Sequence, residues 1–274
     1  MQLMTSHYEG TSLDSSRDVG SGLFQTPYRP RPLVWQYQNE TYHNERSVAT
    51  PKTGWNFVAQ VRPWMPAELA ALVWFAVDDS STSPRTPFYG SNKAISKHYA
   101  GKGSQDGVVT PILQFDIEKA FWVQNMVSNL CYSRWKDAYP VVRAKIDEIQ
   151  KEFLKEVSIA DQRAMELHGN GEGVDRATDF LTMFSVQAGN RLYKVWFEFY
   201  GQLFVRFRDF YTITALPDEP VCGCQATEPG MSSDVQGRIV KETGDHYKVL
   251  IDHQGSDKSI LGHNFADEGT RSIY

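Results

Sequence analysis

AQVRPWMPAELAALVWFAVDD, residues 59–79, holds the end of one apolar run, a proline-bounded link, and a second apolar run closed by two aspartates. With the residues before it, the stretch reads as two strands, WNFVAQVR (55–62) and ALVWFAVDD (71–79). Both are rich in aromatic and β-branched side chains. A link of about a dozen residues or fewer makes such strands neighbours. It also implies an antiparallel pair, because a parallel pair needs a long crossover. LVWFAV is apolar at every position, the pattern of a strand covered on both faces.

Upstream, LVWQY (33–37) and YHNERSVAT (42–50) continue the β signal, with turns at Gln38-Asn39-Glu40 and Pro51-Lys52-Thr53-Gly54. Residues 5–31 are rich in Ser, Gly, Asp and Pro and read as loop. Downstream, residues 80–110 read as a long polar connection, a type that is often functional. The period then becomes helical. Asp116 is placed to cap a helix running to about Tyr139, and Pro140 suits the first turn of the next. There Val142, Ile146, Ile149 and Phe153 form one apolar stripe. Ser158 is placed to cap a short helix that ends at the HGNG break (168–171). A long helix follows from about Ala177 to Phe207, with Leu181, Phe184, Ala188, Leu192, Val195, Phe199 and Leu203 inward. Gly244 closes a last helix that begins near Ser233. The fold class is α+β: loop and antiparallel strands over 1–110, mostly helix over 111–274.

The composition of the 274 residues, 41% hydrophobic and 22% charged, is that of a globular protein. A net charge of −5 gives no basic footprint for nucleic acid. No run of eighteen apolar residues offers a membrane span. The first residues hold no basic segment followed by an apolar one, and the sequence assigns no compartment. Three cysteines make neither a disulfide framework nor a metal set. Cys131 reads as a buried small hydrophobe, and Cys222 and Cys224 form a lone CGC that is paired locally or reduced. The GNGEG run near His168 lacks the strand and the Lys of a phosphate loop. The aromatic stripe from Phe197 to Phe207 reads as packing.

Six polar side chains stand where a solvated surface would not need them. Arg62 leaves a strand, either as a site cation or as an edge residue with its stem on Trp64 and its head in water. Arg46 lies in NERSVAT, where alternation can point it either way. Asp78 and Asp79 end a strand beside a long loop, to hold a ligand or to form an Asx turn. His7 and Glu9 sit together in HYEGT, as site groups or as local partners in a terminal segment. Arg62 and Asp78–Asp79 line one pocket only if WMPAELAA crosses the sheet. A tight turn puts Arg62 beside Leu72 instead.

HYEGTSLD (7–14), PYRPRPLVW (27–35), NERSVAT (44–50), TGWNFVAQVRPWMP (53–66), LVWFAVDD (72–79), AFWVQNMVSNLCYSRW (120–135) and NRLYKVWFEFYGQLFVRFRD (190–209) resemble successive blocks of one family. It is the cysteine dipeptidases of the dipeptidase A type, relatives of the secernins. The resemblance implies an N-terminal-nucleophile hydrolase fold, two antiparallel sheets between helical layers. It implies cleavage of dipeptides or short peptides through a thioester acyl-enzyme, with no metal or other cofactor. Members usually begin their mature chain with the nucleophilic cysteine. This chain begins Met1-Gln2-Leu3-Met4, and its first cysteine is Cys131. The resemblance therefore implies that residues 1–274 are the C-terminal portion of one catalytic domain. That portion would be inactive alone and would have the N-terminal half as its partner; a homo-oligomer is open.

Such a site needs a carboxylate for the substrate ammonium and an Arg for its carboxylate. Arg62 resembles, by its place after a strand, the pocket arginine of the related bile-salt hydrolase and penicillin V acylase group. Two other readings stand beside the peptidase: a peptide-binding or interaction module that lacks the chemistry, and a structural domain with no small ligand.

Overall fold

The computed structural model describes residues 2–101, 113–169, 173–244 and 271–272. The chain divides into two compact units, Met1–Leu203 and Phe204–Tyr274.

The first unit opens with an irregular segment and a hairpin of β1 (Val34–Tyr37) and β2 (Glu40–His43). Gln38 and Asn39 both have positive φ, 50° and 65°, as the two-residue turn of a tight hairpin requires. Next come β3 (Trp55–Val61), the one-turn helix α1 (Ala67–Ala70), β4 (Ala71–Val77) and β5 (Thr86–Tyr89). They form an antiparallel sheet in the order β3-β4-β5. Leu72, Trp74 and Ala76 of β4 are buried on one face. That face meets α2 (Ala120–Ser133), while β5 contacts α3 (Trp135–Gly169). The fourth helix, α4 (Gly173–Phe207), lies mostly in this unit. Buried side chains recur along all three long helices at intervals of three and four, among them Val123 and Val127, Val142 and Ile146, Leu192 and Trp196.

Four expectations change. Among the described residues the second face of β4 is covered only in part: Val73, Phe75 and Val77 remain half-exposed beside Trp55 and Phe57 of β3, with Tyr99 edge-on to the Phe75 ring. The start of the 80–110 connection is no surface loop. Residues 79–86 are buried, and Thr86–Tyr89 is the edge strand β5, where Pro87 is tolerated because an edge leaves one side unpaired. Residues 102–112 of that connection lie outside the described residues. The first long helix stops at Arg134 rather than Tyr139, and one helix then runs through Pro140 and Ser158 to Gly169. A stripe of Phe153, Val157, Ala160, Ala164 and Leu167 is buried without interruption, and that burial outweighs the capping preference of Ser158.

In the second unit, β6 (Thr212–Leu216) and β7 (Glu219–Thr227) form a hairpin turned at Pro217-Asp218, with β8 (Arg271–Ser272) paired to β7. This sheet is the fourth difference, since between Phe207 and Ser233 the sequence pattern assigns no strand. The CGC run lies within β7. The last helix, α5 (Ser233–Thr243), starts at Ser232, whose hydroxyl accepts from the Val235 amide, and ends at Gly244 with φ 59°.

Candidate active site

The end of β4 organises the site. Asp78 has φ 66°, a left-handed conformation that aspartate tolerates better than most residues. Its N–H donates to Gly54 O at 2.8 Å, and its carbonyl accepts from Asn56 Nδ2 at 3.1 Å. The turn sends a polar run, Asp79-Ser80-Ser81-Thr82-Ser83-Pro84-Arg85-Thr86, through the interior, with each of its polar residues at most 4% exposed. Buried polar groups demand partners. Asp79 finds three: the N–H and hydroxyl of Ser81 donate to Oδ1 at 2.6 and 2.8 Å, and the Tyr132 hydroxyl donates to Oδ2 at 2.6 Å. Asp78 Oδ1 accepts from Asn125 Nδ2 at 3.0 Å.

The Asp79 carboxylate is one end of a chain that reaches solvent. The Tyr132 oxygen lies 2.8 Å from His7 Nε2, and His7 Nδ1 lies 3.2 Å from Glu9 Oε1. With the Tyr132 proton directed at Asp79, both ring nitrogens of His7 face acceptors. His7 is enclosed by Tyr132, Trp135 and Tyr139 at edge-on angles, while Glu9 is half-exposed. The segment bearing His7 is pinned over the run. The Ser80 hydroxyl donates to Met4 O, and the Ala49 amide to Ser6 O.

The electrostatics follow the burial. Desolvation, with the neighbouring charge of Asp79 adding to it, pushes the Asp78 carboxyl up to about 7, against the opposing hydrogen bond from Asn125. Burial, then repulsion from Arg143, brings the Arg85 guanidinium down to about 10, and Asp79 works the other way. Burial and the Asp79 charge hold the Tyr132 phenol far above its ordinary range. The hydrogen bond from His7 holds Glu9 below the usual carboxylate range. Burial raises the Cys131 thiol well above its ordinary value, which keeps it from acting as a thiolate.

Five buried atoms here have no partner among the described residues: Asp78 Oδ2, Thr82 Oγ1, Ser83 Oγ, and Arg85 Nε and Nη2. Each such group costs about 1–3 kcal/mol or more when nothing satisfies it. Together they comprise both hydrogen-bond donors and acceptors.

The six residues singled out by sequence separate into three places. His7, Glu9, Asp78 and Asp79 come together. Arg46 is exposed in a separate cleft. Arg62 is at the far end of the sheet: Trp55 pairs with Val77 and Val61 with Ala71, so the 62–71 connection turns tightly. Seven residues of strand, roughly 23 Å, separate it from Asp78. The Arg62 guanidinium is buried. It donates to Ala70 O at 3.2 Å and Leu69 O at 2.8 Å, forms an ion pair with Asp161 and lies over the Tyr89 ring. Trp64 is largely exposed and does not cover it. The arginine beside the carboxylates is Arg85. It lies in the stretch 80–110 that reads in sequence as a polar connection, and nothing local marks its burial. Tyr132 and Asn125 were read only as helix positions.

Among the described residues no group of three or more His, Cys, Asp or Glu is arranged to hold a metal ion, and no helix is long and apolar enough to cross a membrane. The model of the family described as Peptidase family C69 matches residues 1–149. The match covers more than half of the chain and contains every residue of the buried cluster. No curated protein matches the chain.

Proposed function

The chain belongs to peptidase family C69, the dipeptidase A family, and from that premise we propose that its buried cluster holds a dipeptide or short peptide for hydrolysis. Asp79, with Asp78 when ionised, receives the substrate ammonium. Arg85 offers Nε and Nη2 as a planar fork to the substrate carboxylate. The Glu9–His7–Tyr132 chain fixes Asp79 and links it to solvent. A ligand enters by displacing the segment pinned through Ser6 and Met4. The observation that carries this reading is the set of unpartnered buried atoms, which a zwitterion would satisfy at both ends.

The proposal assigns no attacking group to this chain. Cys131 is buried with a raised thiol. The chain then binds but does not cleave, and turnover requires a half that bears the nucleophile. Peptide binding without chemistry is the second reading, favoured by the same burial of Cys131.

Thermal melts and calorimetry of the purified chain with a dipeptide panel test this. Dipeptides should raise the melting temperature of the wild type and leave Arg85→Gln unchanged, with no hydrolysis in either. Hydrolysis lost in Cys131→Ala would overturn the assignment of roles. Absence of binding to any dipeptide would remove the cluster as a peptide site.

A further inference from the structure

A second site differs in sign from the acidic cluster. A cleft opens between residues 27–33 and 45–52, at the base of the β1–β2 hairpin, where the Asn44 amide donates to Leu33 O at 2.8 Å. It is open to solvent and encloses only about 30 Å³, so a ligand would lie along its charged rim rather than sink into it. Four cations line it, Arg29, Arg31, Arg46 and Lys52, against one carboxylate, Glu45. Glu45 Oε1 accepts from the Arg46 amide at 3.1 Å. Arg29 is fixed in place: it pairs with Asp18 and donates to the carbonyls of Ser15, Thr26 and Tyr28. Among the described residues, Arg31, Arg46 and Lys52 form no ion pair. Lys52 lies over the Tyr28 ring, 5.8 Å from its centroid, and Thr50 is buried in the wall.

This concentration of charge runs against the chain as a whole, which carries −5. Clefts lined by one sign of charge focus the field and raise the local concentration of the opposite ion. Two arginines with unengaged planar forks and one lysine suit several carboxylates at once, not a single one. The wall is also tied to the segment over the buried cluster. The Tyr8 hydroxyl donates to Arg46 O at 3.3 Å, and Ser6 O accepts from the Ala49 amide at 3.0 Å.

We propose that this cleft binds short acidic peptides through their side-chain carboxylates and so selects the ligands that reach the cluster. The inference rests on peptides being the ligand class.

Calorimetry of the full chain with the peptides Glu-Glu-Glu and Gln-Gln-Gln tests it. The acidic peptide should bind about tenfold tighter or better, weaken as salt screens the exposed cations, and lose its advantage in Arg46→Gln/Lys52→Gln. The milder single variant Lys52→Gln should lose part of it. Equal affinity for the two peptides overturns the proposal, as does a preference that survives both variants. Inorganic phosphate that binds through Arg46 and Lys52 while Glu-Glu-Glu does not would overturn the peptide assignment. Arg85→Gln separates the two sites. The acidic preference retained in that variant supports the cleft even if the cluster proves to hold no substrate. The preference lost there places the ligand in the cluster and refutes the cleft.

Discussion

Asp78→Asn converts a buried ionisation into a stability measurement. The Asp78 carboxyl is 1% exposed, and burial beside Asp79 moves it from the ordinary 3.8 up to about 7. In the unfolded chain the same group ionises near pH 4. Between pH 4 and 7 the folded state therefore binds more protons, and stability falls as pH rises. This contribution is fully present below about pH 4 and is gone once the pH has passed through 7. The change corresponds to ~4 kcal/mol at about 1.36 kcal/mol per tenfold. Asparagine keeps the shape, tolerates the φ of 66°, and can accept from Asn125 with its carbonyl. Its amide then occupies the Oδ2 position, which in the wild type is equally without a partner. The two proteins should differ by only about 1 kcal/mol at pH 4.5. At pH 8 the variant should be more stable by up to ~4 kcal/mol, on the order of 10 °C in melting temperature for a unit of this size. Urea unfolding at four pH values between 4.5 and 8 gives the difference directly. A gap that stays flat with pH would show that Asp78 is ionised in the fold, and the account of its burial would fail.

Tyr132→Phe removes the hydroxyl between Asp79 and His7 and leaves both short of a partner, a loss of about 1–3 kcal/mol; an unchanged denaturation midpoint would mean that the chain of bonds is not formed in solution. Asp161→Asn leaves the buried Arg62 guanidinium without its carboxylate and should destabilise by about 3 kcal/mol while dipeptide binding stays the same; altered binding with intact stability would return Arg62 to the site. Trp74→Ala empties the buried face of β4 and should cost about 3–5 kcal/mol in chemical denaturation. Trp55, Phe57 and Val61 leave one face of the β3 edge strand apolar and exposed, so the isolated chain should bind hydrophobic dyes and self-associate in sedimentation, less so as Phe57→Lys. A compact monomer that binds no dye would show that this face is covered.

The same residue pattern shows where sequence reasoning holds and where it stops. The aromatic and β-branched run ALVWFAV and the short 62–71 link are enough to place β3 and β4 side by side and antiparallel, because both signals are local. They also contained the answer about Arg62, since a tight link puts the start of β4, not its end, beside that residue. Residues 79–86 carry the opposite lesson. Serines, threonines, a proline and an arginine in a row are the composition of a solvated loop, and nothing local says that Tyr132, Asn125 and His7 will close over them. Those partners stand about 120 residues from His7 and about 50 from Asp79 along the chain, and only tertiary packing brings them together. What distinguishes this run in the fold is that it is buried with only part of its polar groups paired among the described residues. A loop can be buried at small cost when its polar groups are paired, and a core can be dry when it has none. Arg85 and Asp78 follow neither course: each keeps a buried polar atom without a partner among the described residues, and that imbalance is what no local pattern foretells.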